Sequence, residues 1–478
     1  MNKKMNKKFY ITTAIPYVNA APHIGHALEL VQADTLARYH RQKGEDVYFL
    51  TGSDENSLKN VQTAEKQNIS TQKLVDQNSK KFEDLKPALN LSFDDFIRTT
   101  EKRHIDGAQK FWLACKKEDL YKKKYKGLYC VGCEAFYNED ELENNKCPEH
   151  QTCPEVVEEE NYFFKLSNYQ KWLEELIEQD KIKITPQTRK NEVLAFIKKG
   201  LHDFSISRSK KRAHNWGIPV PGDNQQIQYV WFDALINYIS ALDWQNNGKL
   251  FKKYWPAEIH VIGKGISRFH AIYWPAMLKS AGLEIPKAIF IHGYVTIDGQ
   301  KISKSFGNTI NPKDLVEKYG TDAIRYYLLK EIPAYNDGDF SQKRLKEIYN
   351  ADLANGLGNL VARVAKLCQN ANLNFKTTNK QVGQIEVKVS KFLDNYQFDL
   401  ALNEIWGQIR QADKTINEKK VWKQEGESLE KTLNLLINQI RQIASDLQPF
   451  LPETAFIIQK QFKGPKIKAE QPLFPRIS

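Results

Sequence analysis

No stretch of this 478-residue chain approaches the roughly 20 apolar residues of a membrane-spanning helix, and mean hydropathy is −0.58, which argues against residence in a membrane. The N-terminus, MNKKMNKKFYITT, lacks an apolar signal core and an arginine-rich transit pattern, so a cytoplasmic protein is expected. Cysteine is scarce. Of six, four fall between Cys130 and Cys153, a clustering that disfavours a disulfide framework and points to a metal. Cys115 and Cys368 stand apart and read as small buried apolar residues. No solenoid period or low-complexity tract is visible.

The chain is too long for one core and predicts two to four domains. Hydrophobic content of 41%, with 11% aromatics, suffices for globular packing. Net charge is +12 with pI about 9.1, which suits a polyanionic partner through long-range attraction and counterion release. A lysine-rich composition that merely solvates the surface fits the charge equally well.

Strand and helix alternate at the start: a strand over Phe9–Ala14, a helix over Ala27–Lys43, then a strand over Val47–Leu50 ending at Thr51-Gly52-Ser53-Asp54. This opens a parallel, doubly wound sheet whose ligands lie beyond the carboxyl ends of its strands. The pattern breaks near Leu113, passes through the cysteines and the acidic run Glu155–Glu160, and resumes at Ile259–Ile262 and Ala288–Val295. A sheet split by a long insertion explains this. Leu353, Leu357, Leu360, Val361, Val364 and Leu367 recur at helical spacing, as do Leu429, Leu433, Leu436, Ile440, Ile443 and Leu447. The expected fold is therefore α/β: a split Rossmann-like sheet with a metal-bearing insertion, then an all-α bundle. Its parts are 1–114 and 226–296 for the sheet, 115–225 for the insertion, 297–345 for a linking segment and 346–478 for the bundle.

Two segments far apart are built to hold a polyphosphate from both ends. Pro22-His23-Ile24-Gly25-His26 opens the first helix, where free backbone N–H groups and the helix dipole favour an anion. Lys301-Ile302-Ser303-Lys304-Ser305 sets two cations and two hydroxyls around one apolar anchor, with Gly299 and Gly307 beside it. Each has a duller reading: the histidines are a metal pair at helical spacing, or the lysines an exposed basic turn. Cys130 and Cys133 are followed, after thirteen residues, by Cys147 and His150, with Gly132 and Pro148 to turn each knuckle. Two short-spaced ligand pairs suit one closed tetrahedral zinc ion of structural role, and Cys153 is a thiolate that can replace His150.

The first of these segments resembles the HIGH signature, and the second the KMSKS signature, of class I aminoacyl-tRNA synthetases. Tyr17-Val18-Asn19-Ala20-Ala21-Pro22, Thr51-Gly52-Ser53-Asp54-Glu55, Tyr229-Val230-Trp231-Phe232-Asp233-Ala234-Leu235 and Arg268-Phe269-His270 are similar to the methionyl-tRNA synthetase family. The similarity runs in order from about Phe9 through Trp422. It implies ATP-dependent activation of methionine to methionyl-adenylate, then transfer to the 3′ end of initiator and elongator tRNA. His23, His26, Lys301 and Lys304 would be catalytic. Pro22, Gly25, Gly263, Lys264, Ser303 and Ser305 would join them around ATP and its Mg²⁺. Asp54 would take the methionine ammonium, within a pocket of Ile15, Tyr17, Trp231, Ala234, Tyr238, Phe269 and His270, and Tyr17 and His270 would supply its hydrogen bonds. Asn359 and Arg363, four apart on one helix face, would read the anticodon with Trp422.

Other readings stay open: Asp54 as a helix cap, Trp231 and Tyr238 as ordinary core, Asn359 and Arg363 as a polar helix face. The insertion is too short for the hydrolytic editing domain of the leucine, isoleucine and valine relatives. The family's Gly-Lys-Asp-Ile reads Gly263-Lys264-Gly265-Ile266, so the carboxylate for the ATP ribose is missing; Asn56 and Ser57 replace His and Gly, and Ile302 replaces Met. The bundle ends near the chain end, so a monomer is expected. A cysteine ligase with catalytic zinc shares both signatures, and a tRNA-binding protein with a decayed site would retain them.

Overall fold

The structure, a computed structural model, describes residues 6–137, 139–148, 151–301, 309–377 and 383–477. Strand β1 (Lys8–Thr13) leads through helix α1 (Ile24–Gln42) to β2 (Asp46–Ser53), then helix α2 (Leu58–Lys66) and β3 (Asp95–Arg98). An antiparallel unit follows, of β4 (Leu120–Cys130), β5 (Ala135–Tyr137) and β6 (Glu155–Phe164). The main sheet is completed by β7 (Lys183–Thr185), β8 (Ile259–Gly263) and β9 (Ala288–His292). Its order is β3-β2-β1-β8-β9-β7, every pair parallel. Sequence from both sides of the insertion meets where β1 lies beside β8, with Ile11 opposite Ile259. There the winding reverses, which opens a crevice beyond the carboxyl ends of the two strands. Both strands are buried on both faces, which is why they read as nearly unbroken apolar runs.

The split sheet matches expectation, with one difference. Strand β7 lies inside the expected insertion, yet it pairs with β9 through Ile184 opposite Ile289. Three residues are too few to carry a period; the strand is created by docking on the sheet edge. In the antiparallel unit, Lys124 stands opposite Glu160 and Lys126 opposite Glu158. The acidic run is therefore the cross-strand complement of the lysine-rich one, and opposed charges help set that register.

Helices α3 (Thr321–Lys330), α4 (Asn359–Ala371), α5 (Phe398–Glu418), α6 (Gly426–Leu447) and α7 (Pro452–Gln461) complete the chain. One apolar core runs from Ile11 and Leu28, through Ile324 and Tyr326, to Leu436 and Phe450, so sheet and bundle share it. A second core packs the other face of the sheet against the insertion. Within the first core, Asp34 of α1 meets Arg325 of α3 at 2.7 Å, both side chains fully buried. Arg325 also donates to the carbonyls of Leu89, Pro449 and Phe450, so one guanidinium ties α1 to the turn that ends α6.

Candidate active site and metal knuckle

Beyond β1 and β8 lies a cleft of about 640 Å³, with Ile15, Tyr17, His23, His26, Trp231 and Gly265 in its walls. His23 caps α1: its Nδ1 accepts the Gly25 N–H at 3.1 Å, while His26 Nδ1 accepts the His23 N–H at 3.1 Å. Both Nδ1 atoms are acceptors, so each neutral ring carries its hydrogen on Nε2. The rings stack with centroids 3.8 Å apart. A Cβ at position 25 would come within 3.1 Å of the His23 ring, which is why glycine stands there. Burial, then the neighbouring His23, pushes His26 well below its ordinary value, so it offers a neutral donor at pH 7.

Tyr17 and Asp54 face each other across a parallel bridge that extends the β1–β2 register. The Tyr17 hydroxyl is buried without a hydrogen-bond partner among the described residues. Asp54, Asp233 and Glu134 are all buried. Burial, then Asp233, then Glu134 push the Asp54 carboxyl well above the usual range. Asn56 bridges this group, its N–H on Asp54 Oδ1 at 3.2 Å and its Nδ2 on Asp233 Oδ2 at 3.2 Å. Ser57 caps α2 by accepting the Asn60 N–H. The two departures thus have work here: an amide tethers two carboxylates, and a hydroxyl starts a helix.

Of the expected methionine residues, Ile15, Tyr17 and Trp231 line the cleft. Ala234, Tyr238, Phe269 and His270 form a buried layer behind them. Trp231 stacks on Phe269 with centroids 3.8 Å apart and planes within 5°. His270 Nδ1 donates to the Ile266 carbonyl at 3.1 Å, so Nε2 accepts the Tyr238 hydroxyl at 2.7 Å. Both His270 nitrogens are engaged, and burial holds the ring at about 4, neutral at pH 7. In this arrangement the Tyr17 hydroxyl, not His270, is the group with an uncommitted hydrogen bond.

Of the expected nucleotide residues, Pro22, His23, His26 and Gly263 line the cleft, with Gly25 beneath the His23 ring. Lys264 turns away: its ammonium pairs with Asp337 at 2.6 Å and lies over the Tyr294 ring. Gly265 lines the cleft, and Glu29 is the carboxylate among the described lining residues, held by His292 Nε2 at 3.0 Å. Lys301 ends a short strand beginning at Gln300. Ser303, Lys304 and Ser305 lie outside the described residues.

Ligand atoms of Cys130, Cys133 and Cys147 lie within 4.8 Å of one another. Bonds of about 2.3 Å in a tetrahedral site place sulfurs roughly 3.8 Å apart, so this spacing fits one ion, and thiolates suit zinc. His150 lies outside the described residues. Cys153 is exposed and not part of the group, which leaves it a poor substitute here. The knuckle reaches the cleft. Trp231 Nε1 donates to the Cys133 carbonyl at 3.1 Å, and Glu134, at φ 51°, turns its carboxylate inward to pair with Arg208 at 3.1 Å. Glu134, Asp233 and Lys59 carry no distinct signal of their own in the sequence: Glu134 follows Cys133, and Asp233 lies within the Tyr229–Leu235 run.

In the bundle, Arg363 donates to Asp413 Oδ1 at 3.0 Å and Asn417 Oδ1 at 2.7 Å. Its guanidinium carbon lies 5.5 Å from the centroid of the Trp422 ring, which is 52% exposed. Asn359 is exposed one turn earlier on α4. The three expected residues thus share a surface.

The family model described as tRNA synthetases class I (M) matches residues 9–153 and 139–365. A methionine–tRNA ligase of Brucella suis is 41% identical over 507 residues, covering 98% of each chain. One from Thermotoga maritima is 42% identical, covering 94% of this chain and 74% of its own. The structure of Mycobacterium tuberculosis methionyl-tRNA synthetase in complex with methionyl-adenylate is similar with TM-score 0.91 and 37% identity, over 98% of this chain and 100% of that one.

Proposed function

The chain belongs to the methionine–tRNA ligases of the class I tRNA synthetases, and from that membership we propose how its residues divide the work. The enzyme joins methionine to ATP as methionyl-adenylate, releasing pyrophosphate, then transfers methionine to the 3′ end of tRNA for initiation and elongation. The observation that carries this reading is the pair of Nε2–H donors at the start of α1, beside a cleft walled by Ile15, Tyr17 and Trp231, with the buried Asp54 bridged to Tyr17.

A methionine carboxylate oxygen attacks the α-phosphorus; that P–O bond forms as the bond to the β-bridging oxygen breaks, and the electron pair leaves with pyrophosphate. Such chemistry needs positioning and charge stabilisation more than covalent help. His23 and His26 donate to phosphate oxygens from one side, while Pro22, Gly25 and Gly263 let the nucleotide approach the backbone. Lys301, Lys304, Ser303 and Ser305 hold the pyrophosphate from the other, and Lys264 reaches it on leaving Asp337. Asp54 pairs with the methionine ammonium. The thioether enters against Ile15, Tyr17, Ala234 and Trp231, backed by Tyr238, Phe269 and His270. Mg²⁺ accompanies ATP and offsets phosphate charge.

Cys130, Cys133, Cys147 and His150 would hold one zinc ion, which supplies a structural cross-link with no open position. Asn359, Arg363 and Trp422 read the anticodon of tRNA(Met). Among the described residues no helix is long and apolar enough to cross a membrane; we place the enzyme in the cytoplasm, where its substrates are, as a monomer. Pyrophosphate exchange into ATP, run with each amino acid in turn, tests the reading. Exchange with methionine is expected. Exchange with cysteine would make it a cysteine ligase, and none with any amino acid a tRNA-binding protein.

A further inference from the structure

Lys59, at the start of α2, lines the cleft with its ammonium 5.5 Å from the centroid of the Tyr17 ring. That ammonium makes no ion pair or hydrogen bond among the described residues. The nearby Glu134 carboxylate is engaged elsewhere, taking the Lys59 backbone N–H at 3.1 Å and the Arg208 guanidinium. Burial pushes the ammonium below its ordinary value, opposed by Glu134 and the knuckle thiols. A partly buried cation in the wall of the cleft, over an aromatic ring and with no carboxylate paired to it among the described residues, is poised for an anion from the substrate.

The reaction supplies one. It must bring the methionine carboxylate to bonding distance of a phosphate, and two unit charges at 4 Å repel by about 1 kcal/mol in water and about 4 kcal/mol at a protein surface. His26 is neutral, and the carboxyls buried near Tyr17, Asp54 bridged to it among them, cannot pair with an anion. Among the described residues lining the cleft, Lys59 is the sole lysine or arginine. We propose that the Lys59 ammonium binds the α-carboxylate of methionine, so that Asp54 and Lys59 grip the two ends of the zwitterion and Lys59 shields the carboxylate as it nears the α-phosphate. This rests on the ligase reading above.

Binding of methionine and of methioninol, which has an alcohol in place of the carboxylate, separates this role from packing. Affinities are measured calorimetrically without ATP for the wild type, Lys59→Met and Lys59→Arg. Loss of one charge-assisted contact should weaken methionine about tenfold or more in Lys59→Met, with methioninol changed less than twofold and Lys59→Arg in between. Equal weakening of both ligands would make Lys59 a support for Tyr17, and no weakening would make it idle; either overturns the proposal. Zinc content is assayed on the same samples. Its loss in Lys59→Met would assign the ammonium to the knuckle and also overturn it. Wild-type exchange with methionine is read separately, so failure of the ligase reading shows there and failure of the Lys59 role only in the variants.

Discussion

Trp231 donates its indole N–H to the Cys133 carbonyl at 3.1 Å, so a wall of the proposed methionine pocket hangs on a metal-knuckle residue. A second tie runs from Cys133 Sγ, which accepts the Tyr137 hydroxyl at 3.1 Å, to Arg268, whose guanidinium lies over both the Tyr137 and Phe269 rings. Phe269 then stacks on Trp231, closing the circuit. If the knuckle holds a metal, its removal should loosen the Cys133 backbone and with it both ties. Chelation, or Cys147→Ser, should raise the methionine KM about five- to tenfold, the worth of one or two lost hydrogen bonds, while the ATP KM moves less than twofold. Tryptophan emission should shift to the red and return when zinc is restored. Unchanged emission on complete metal removal would show the wall to be self-supporting.

The proposed role of Asp54 predicts a pH dependence for methionine binding. The value of its carboxyl is raised by burial and by the Asp233 and Glu134 carboxylates. A carboxyl raised in the folded state keeps its proton to higher pH than in the unfolded chain. Ionising it therefore costs stability as pH rises above the unfolded value, and the cost vanishes below it. If the methionine ammonium pairs with Asp54, it pairs with the ionised form, so binding at a pH below the raised value should release a proton. Affinity should fall as pH drops below the raised value, and calorimetry in buffers of different ionisation enthalpy should record proton release. Asp54→Asn should abolish that release. Proton uptake by the wild type would place the ammonium elsewhere.

The strands around the cleft were legible because burial on both faces writes an apolar run, and the histidines because a helix start confines them to one place. What escaped depends on contacts far apart in sequence. Nothing local marks Lys183–Thr185 as a sheet strand; it exists through β9. Glu134 reads as one more acid beside a cysteine until its left-handed backbone turns it toward Asp54 and Arg208. Lys59 is an ordinary helical lysine by pattern, and only the fold puts it over Tyr17. His270 read as a donor to substrate, but the Ile266 carbonyl and the Tyr238 hydroxyl claim both its nitrogens.

Asp34 and Arg325 join the helix that begins with the histidines to α3 and, through Pro449 and Phe450, to the end of α6. Burial alone would raise the Asp34 carboxyl, but Arg325 and Arg38 outweigh it and hold it below its ordinary range. Its contribution is therefore present above the unfolded value and is lost as pH falls through the lower folded one. Arg325→Met leaves the carboxylate buried with Arg38 as its one cation, beside the two Ser92 donors, and should cost about 3–5 kcal/mol in urea unfolding. Adding Asp34→Asn should recover part of that loss. A single variant within 1 kcal/mol of wild type, a magnitude within reach of many surface changes, would show that the pair is dispensable.

Gly265 offers the cleft no carboxylate and leaves Glu29 as the lining acid among the described residues. One hydrogen bond to a charged group contributes about 1.5–3 kcal/mol. Gly265→Asp should therefore lower the ATP KM about tenfold or more in pyrophosphate exchange, with the methionine KM unchanged. An unaltered ATP dependence would show that the ribose is already held by other groups.

Arg363 is clamped by side chains of the neighbouring helix α5. Asp413 and Asn417 each take one N–H of its guanidinium, and Asn417 Nδ2 also bonds Asp413 Oδ2 at 3.3 Å, so the three side chains close a ring beside Trp422. A long side chain fixed in advance loses less rotamer freedom on binding, and an exposed indole gives an unstacked base a face to lie on. Asp413→Ala should loosen the guanidinium and raise the tRNA KM about fivefold to tenfold, since a fixed side chain spares roughly 1 kcal/mol of ordering. Pyrophosphate exchange, which needs no tRNA, should stay within twofold. Arg363→Ala and Trp422→Ala should cost more, and Asp413→Ala should add little on top of Arg363→Ala because it acts through that residue. Additive losses in the double variant would mean that Asp413 touches the tRNA itself.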